Sequence, residues 1–208
     1  MLKCLRINKY NDKIIIDNTI KSLETIKKEL IDNFDSISFN SYDNKNINIW
    51  WYMERFINSQ KEMFDKALTE IKNGKKESHW IWYIFPQFVG IGFSYNSYYY
   101  GLKSLNEAKE FYNNDYLRNN LITITKALLD MDKNKYLDML DYVDYQKICS
   151  SLTLFYYISK NELIKYVIDK YYGEFDNLTL DIINTFGDNK IETENDIAVV
   201  RKLWEKYL

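Results

Sequence analysis

Apolar residues recur at steps of three and four through most of this chain, and polar residues fill the positions between them. Met53, Phe56, Ile57, Met63, Phe64, Ala67, Leu68 and Ile71 share one helical face, and Gly74 follows as a C-terminal stop. Further on, the same rhythm is bracketed by residues that start and end helices. Ser104 with Glu107 makes a capping box for a helix through Tyr112, and Asp115 is placed to cap the next, which runs to about Met131. Asp144 opens a helix through Ile148, Leu152 and Phe155; 161–172 ends at Gly173, and 176–186 ends at Gly187. Thr193 with Asp196 starts a last helix to Leu208.

The N-terminal quarter reads differently. Residues 2–7 and 13–16 are read as two short strands around an Asn/Asp turn, and Ile20, Leu23, Ile26, Leu30 and Phe34 mark an amphipathic helix over 18–35. The Asn-rich stretch 36–48 has no period and reads as a loop. The expectation is a mainly α fold of about eight helices, with a small N-terminal β-hairpin. An appendage spans 1–48 and a compact multihelical domain spans 49–208.

Composition narrows the function classes. The chain has 208 residues, is 46% hydrophobic and carries a formal net charge of -2. No global positive field draws it onto phosphate backbones, so non-specific nucleic-acid binding is disfavoured. Cys4 and Cys149 stand far apart with no CxxC pair, and one His with two isolated Cys cannot assemble the usual tetrahedral zinc sets. No cofactor and no metal ligand is assigned, with a carboxylate-bound Mg or Ca site the open alternative. No run approaches the ~20 apolar residues of a membrane span, and the first residues lack a secretory pattern, so the expectation is a cytoplasmic protein with no membrane partner.

Candidate chemistry concentrates in GKKESHWIWYIFPQFVGIGFSYNSYYYG at 74–101. The segment holds the only His, the only Pro, two of the five Trp and four of the six Gly. Ser78 is positioned to cap a short helix carrying 79–84, which must stop near Phe85 because Pro86 steers its predecessor away from helical angles. The following 86–101, rich in Gly and Tyr, reads as an ordered loop, and loops of that length usually serve binding or catalysis.

His79 is the candidate catalytic residue, since an imidazole titrates near neutrality; a buried hydrogen-bonding His is the equally weighted alternative. Trp80 and Trp82, two residues apart, are separated by about 200° on a helix, which puts one towards the core and the other towards a site. Gln87 follows the fixed Pro backbone and offers an amide to a ligand or to loop carbonyls. Gly90 and Gly92 form a GxG without the strand or third Gly of a dinucleotide fingerprint, which favours turn chemistry over phosphate binding. Tyr100 supplies a stacking face. Lys147 and Ser151, one helical turn apart, give a polar face on an otherwise apolar helix, or simply a small residue that lets helices approach.

The motifs FINSQ at 56–60, ALTEIKNGKKESHWIWYIFPQFVGIGFS at 67–94, LNEAKEFYNNDYL at 105–117, DYQKICSSLTLF at 144–155 and DKYYGEFDNLTL at 169–180, together with Tyr100, carry a resemblance. Over roughly 52–183 the chain is similar to the bacterial domain-of-unknown-function family 1810. The resemblance implies a compact multihelical fold and brings no established reaction.

From the residues themselves, the expectation is an enzyme-like pocket for a phosphate-bearing or nucleotide-type small molecule. Its reaction would be hydrolysis of an N-glycosidic or ADP-ribosyl bond. With a single His and no GxSxG elbow, a serine triad is disfavoured. The alternative is a non-enzymatic protein-binding module, an inhibitor or regulator whose partner is gripped by exposed aromatics.

Overall fold

The computed structural model describes residues 44–207. The readings for 2–7, 13–16 and 18–35 lie outside the described residues. Among the described residues ten α-helices follow one another and no strand occurs. They are α1 Asn44–Asn73, α2 Ile81–Ile84, α3 Tyr95–Tyr99, α4 Leu105–Asn113, α5 Asp115–Leu129, α6 Lys133–Met139, α7 Tyr142–Ser159, α8 Glu162–Tyr171, α9 Asn177–Phe186 and α10 Glu194–Trp204, with a 3-10 turn at Glu205–Tyr207. Residues 44–48, expected as loop, are already helical. The unit Asn48–Leu208 is compact.

Chemistry at the helix ends explains most boundaries. Gly74, at φ 68°, turns the chain out of α1, and its N–H donates to the Ile71 carbonyl at 2.9 Å. Side-chain oxygens of Ser94, Ser104, Asn161 and Asp176 cap α3, α4, α8 and α9, and Thr193 with Asp196 completes a reciprocal capping box on α10. Each such cap contributes about 1 kcal/mol.

Two expected caps move. The α5 cap is Asn114, whose Oδ1 accepts from Leu117 N–H at 3.1 Å, while Asp115 sits in the first turn and pairs with Arg118. For α7 the cap is Asp141, which accepts from Asp144 N–H at 2.7 Å. In both places an earlier Asx satisfies the orphan donor first. The Asp144 carboxylate is thereby left for other partners.

Three further expectations change. Ser78 does not cap the following helix; its hydroxyl donates to Glu70, and α2 starts after Trp80 with no side-chain cap. The stop at Phe85 holds, because α2 ends at Ile84. Inside 86–101 the Ser94 cap starts α3, so the segment is not all loop. Finally, α6 interrupts what periodicity alone passes over, with Asp132 capping it and Tyr136 and Met139 buried.

Helices α4, α5, α7, α8, α9 and α10 make the main packing. Helix α5 lies on α8, α7 on α8 and α9, α4 on both α5 and α7, and α9 on α10. Phe56 of α1 meets Phe111 of α4 edge-on at 5.0 Å, and Phe111 meets Phe155 of α7 at 5.1 Å. All three rings are fully buried. Burying a Phe side chain contributes about 1.5–3 kcal/mol, and edge-to-face pairs add to that. This aromatic chain fixes α1 and α7 around the segment between them. Helix α2 rests on α7, which brings the His- and Trp-containing segment against Lys147.

Candidate functional site

Construction starts at Glu70 in the last turn of α1. Its carboxylate accepts from Glu77 N–H at 3.0 Å, Ser78 N–H at 3.1 Å, the Ser78 hydroxyl and the Trp80 indole at 2.7 Å. Burial raises the Glu70 carboxyl, but the Ser78, Glu77 and Trp80 hydrogen bonds outweigh it and hold it down at about 2. One anion thus organises the entry to α2. Trp80 is fully buried as a result.

Beyond α2 the chain doubles back on itself. Leu102 N–H donates to the Gln87 carbonyl and Val89 N–H to the Leu102 carbonyl, both at 2.9 Å. Gly101 makes this return possible: an ideal Cβ there would lie 2.7 Å from the Ser97 carbonyl oxygen and from Val89 Cα. No side chain fits between those backbones. Tyr100 is held by a 2.7 Å hydrogen bond between its hydroxyl and Ser59 Oγ, with its ring 5.2 Å from Tyr83.

These constraints leave a small recess lined by Trp82, Phe85, Gln87, Ser97, Tyr100, Gly101 and Lys147. Its enclosed space is about 10 Å³, room for about one water molecule. That is far below the ~300–1,000 Å³ of sites for drug-sized ligands. Three aromatic rings wall it, and Lys147 is the one charged residue of the lining.

Lys147 belongs to a small charged group. Its ammonium lies 3.0 Å from Asp144 Oδ1, Lys76 Nζ lies 2.7 Å from Asp144 Oδ2, and all three side chains are largely buried. Burial raises the Asp144 carboxyl, but the two lysines more than compensate and lower it. The group carries two cations against one anion. Each lysine also covers an indole, Lys147 over Trp82 at 5.1 Å and Lys76 over Trp80 at 5.3 Å.

Of the candidates from the sequence, the structure gathers Trp82, Gln87, Tyr100 and Lys147 on this recess. It leaves five outside the lining. His79 is exposed, with its ring 6.1 Å from that of Trp82. Trp80 is a core residue bonded to Glu70. Gly90, at φ 93°, backs onto α10, where a Cβ would meet Val200 at 3.2 Å. Gly92 packs against Ser97, whose Oγ would lie 2.4 Å from a Cβ. Ser151 is fully buried on α7, and its Oγ has no hydrogen-bond partner among the described residues.

Phe85, Ser97, Gly101, Lys76 and Asp144 are the participants that sequence reading missed. Asp144 and Lys147 at i, i+3 were a usable signal; Gly101 was not, because a backbone close approach has no local signature. Among the described residues no group of three His, Cys, Asp or Glu is placed to hold a metal ion, and no helix is long and apolar enough to cross a membrane.

Comparison with known proteins places these features in a wider set. A family model described as "Protein of unknown function (DUF1810)" matches residues 51–183, which include α2, α3 and every residue of the recess. The crystal structure of the conserved hypothetical protein Rv1873 from Mycobacterium tuberculosis is similar, with a TM-score of 0.60 at 30% sequence identity over 62% of this chain and 94% of that one. No curated protein matches the chain.

Proposed function

This chain belongs to the DUF1810 family of proteins of unknown function, and from that premise we propose that its recess binds a phosphate-bearing or nucleotide-type small molecule. The observation that carries the reading is the joining of three aromatic walls, Trp82, Phe85 and Tyr100, to a single cation, Lys147, in one lining. Aromatic faces favour a planar ring. A partly desolvated ammonium favours an anion, and Lys76 adds a second positive charge across Asp144. At about 10 Å³ the recess itself takes no more than a water-sized group, so such a ligand lies across its mouth against these side chains.

The reaction class that matches this ligand is hydrolysis of an N-glycosidic or ADP-ribosyl bond. Water adds at the anomeric carbon as the bond to the leaving group breaks. The leaving group keeps the bonding pair and takes a proton from His79, the one imidazole of the chain, and the attacking water releases its own proton to restore it. The geometry supports the binding half of this reading more than the hydrolytic half, because none of the seven lining residues is a carboxylate or an imidazole.

A thermal-shift screen against nucleotides, NAD, ADP-ribose and sugar phosphates tests the binding. A ligand at about a hundred times its Kd adds ~2.7 kcal/mol, which is roughly 5–10 °C for a domain of this size. The expected result is such a shift in the wild type and in His79→Ala, with its loss in Lys147→Met. Turnover lost in His79→Ala while its ligand shift is kept would then assign the proton donor. Silence across the whole panel would overturn the small-molecule reading.

A second reading, a protein-binding module, draws on a different surface. Phe93 and Tyr95 are 66% and 74% exposed, with Tyr98 and Tyr99 also exposed beside them. Phe93 meets Trp204 at 5.8 Å and lies under the Arg201 guanidinium at 5.1 Å. Aromatic and Arg side chains are the usual anchors of protein interfaces. A partner captured by the wild type and released by the combined Phe93→Ser and Tyr95→Ser variant would favour this reading.

A further inference from the structure

The segment 78–106 contains no Asp or Glu, although the chain carries 30 of them. Within it Phe93, Tyr95, Tyr98 and Tyr99 are all exposed. Tyr95 and Tyr99 stand one turn apart on α3, with ring centroids 5.9 Å apart and planes 12° from parallel. Four large rings left in water on one short, acid-free stretch exceed the scattered apolar residues of an ordinary surface and mark a place of contact.

A cation joins these rings from α10. The Arg201 guanidinium lies over the Phe93 ring at 5.1 Å, and Trp204 meets the same ring edge-on at 5.8 Å. Arg201 and its neighbour Lys202 are exposed, and neither forms an ion pair among the described residues. Glu205, one turn further on, pairs with neither of them. A guanidinium resting on a ring is held in place through its face, and the N–H groups along its edge stay available to a carboxylate.

From this we infer that the face built by Phe93, Tyr95, Tyr98, Tyr99 and Arg201 receives an acidic segment of a partner protein. Apolar or aromatic side chains of that segment lie on the rings, and a carboxylate meets Arg201. The inference rests on the protein-binding reading above and specifies the partner's chemistry. Charge sets aside two other occupants. A second copy related by a two-fold axis would bring its own Arg201 towards this one. Single-stranded nucleic acid also stacks on Tyr rings, but its backbone needs a basic track, and one Arg with one Lys on a chain of net charge -2 falls short of that. The rings lie within the family match at 51–183 and the cations outside it, so the charge preference comes from a part of the chain that the family model does not cover.

The test selects a displayed library of random dodecapeptides on the full chain, with the combined Phe93→Ser and Tyr95→Ser variant as the counter-selection. Both side chains are exposed, so that variant is expected to keep the wild-type Tm, which is measured first. Peptides that need the two rings are expected to be richer in Asp and Glu than the library and to keep an aromatic or aliphatic anchor. By fluorescence anisotropy the tightest of them is expected to bind Arg201→Glu at least about tenfold more weakly, and to weaken as salt is raised. If the ring-dependent peptides are neutral or basic, or Arg201→Glu binds them as the wild type does, the acidic partner is wrong and the protein-binding reading stands. If no peptide depends on the rings, both are wrong. Ring-dependent binding of oligo-dT, or a wild-type dimer in sedimentation that the two Ser substitutions dissolve, would overturn the inference by putting a nucleic acid or a second copy on this face.

Discussion

The indole nitrogen of Trp80 donates to a Glu70 carboxylate oxygen at 2.7 Å, which ties the last turn of α1 to the strip of chain leading into the recess. A carboxylate at a helix C-terminus is opposed by the helix dipole, so the position is held by its hydrogen bonds alone. Four donors converge on it. Glu70→Gln preserves the shape but turns an NH2 towards groups that are themselves donors. The expected cost is about 2–4 kcal/mol in urea denaturation at pH 7.

The same carboxylate makes stability depend on acid. Its folded value of about 2 lies below the 4.5 of an unperturbed Glu, so the unfolded chain takes up the proton first. The stabilisation is fully present above the unfolded value and is lost as pH falls from about 4.5 towards 2, with a size of roughly 3 kcal/mol. Wild-type stability measured across this window should fall by about that much more than that of Glu70→Gln. Parallel curves for the two proteins would mean that the Glu70 carboxyl takes up its proton alike in the folded and unfolded chain.

Asp144 separates folding from binding at the recess. Removing its charge leaves Lys76 and Lys147 partly buried side by side, and Asp144→Asn is expected to cost about 3 kcal/mol. Lys147→Met leaves the 2.7 Å pair between Lys76 and Asp144 in place, so its expected cost is nearer 1 kcal/mol. Urea denaturation of the two variants and of their combination gives the coupling directly. A Lys147→Met protein that folds normally is the material on which the ligand measurements depend.

Most of the helices were legible because their signals are local. An Asx or Ser/Thr at the start, an apolar stripe and a Gly at the end are all read within a dozen residues, and α8 and α9 obey them to within a residue or two, while α10 starts where Thr193 caps it but gives way to a 3-10 turn after Trp204, short of the expected end at 208. Where two candidate caps adjoin, as with Asn114 and Asp115, periodicity cannot choose between them, and the structure uses the first. The site was half legible. Trp82, Gln87, Tyr100 and Lys147 meet at the recess, but only tertiary packing decides that Trp80, not Trp82, faces the core. His79 attracted attention through its rarity, which is a statement about composition and not about burial. Ser78 looked like a cap, and a carboxylate eight residues earlier claimed its hydroxyl instead.

Gly101 and Gly173 offer a comparison between steric and conformational cost. An alanine Cβ at Gly101 would meet two backbone atoms at 2.7 Å, and backbone cannot rotate away as a side chain can. Gly173 has φ 79° and nothing within 4 Å, so only the left-handed penalty applies there. Gly173→Ala is expected to cost about 1 kcal/mol and Gly101→Ala more than about 2 kcal/mol. The Trp82 indole resonance should shift in the second variant alone, since Gly101 shares the recess lining with Trp82.

Lys160 closes α7 in the left-handed region at φ 54° and ψ 30°, a conformation that costs an L-residue roughly 1–2 kcal/mol. Its ammonium recovers part of that by lying 4.8 Å from the Tyr157 ring and 5.3 Å from the Tyr156 ring. Replacing Lys160 by Gly relieves the strain but also removes the cation, so that variant alone mixes two effects of opposite sign. Comparing it with Lys160→Ala isolates the backbone contribution, because both lose the ammonium and only Gly escapes the clash of Cβ with the carbonyl. Lys160→Gly should therefore be more stable than Lys160→Ala by about 1 kcal/mol, a difference of roughly 2–4 °C in Tm. Equal melting temperatures would show that the backbone at Lys160 relaxes out of the left-handed region once its side chain is shortened, and that the ring contacts hold it there.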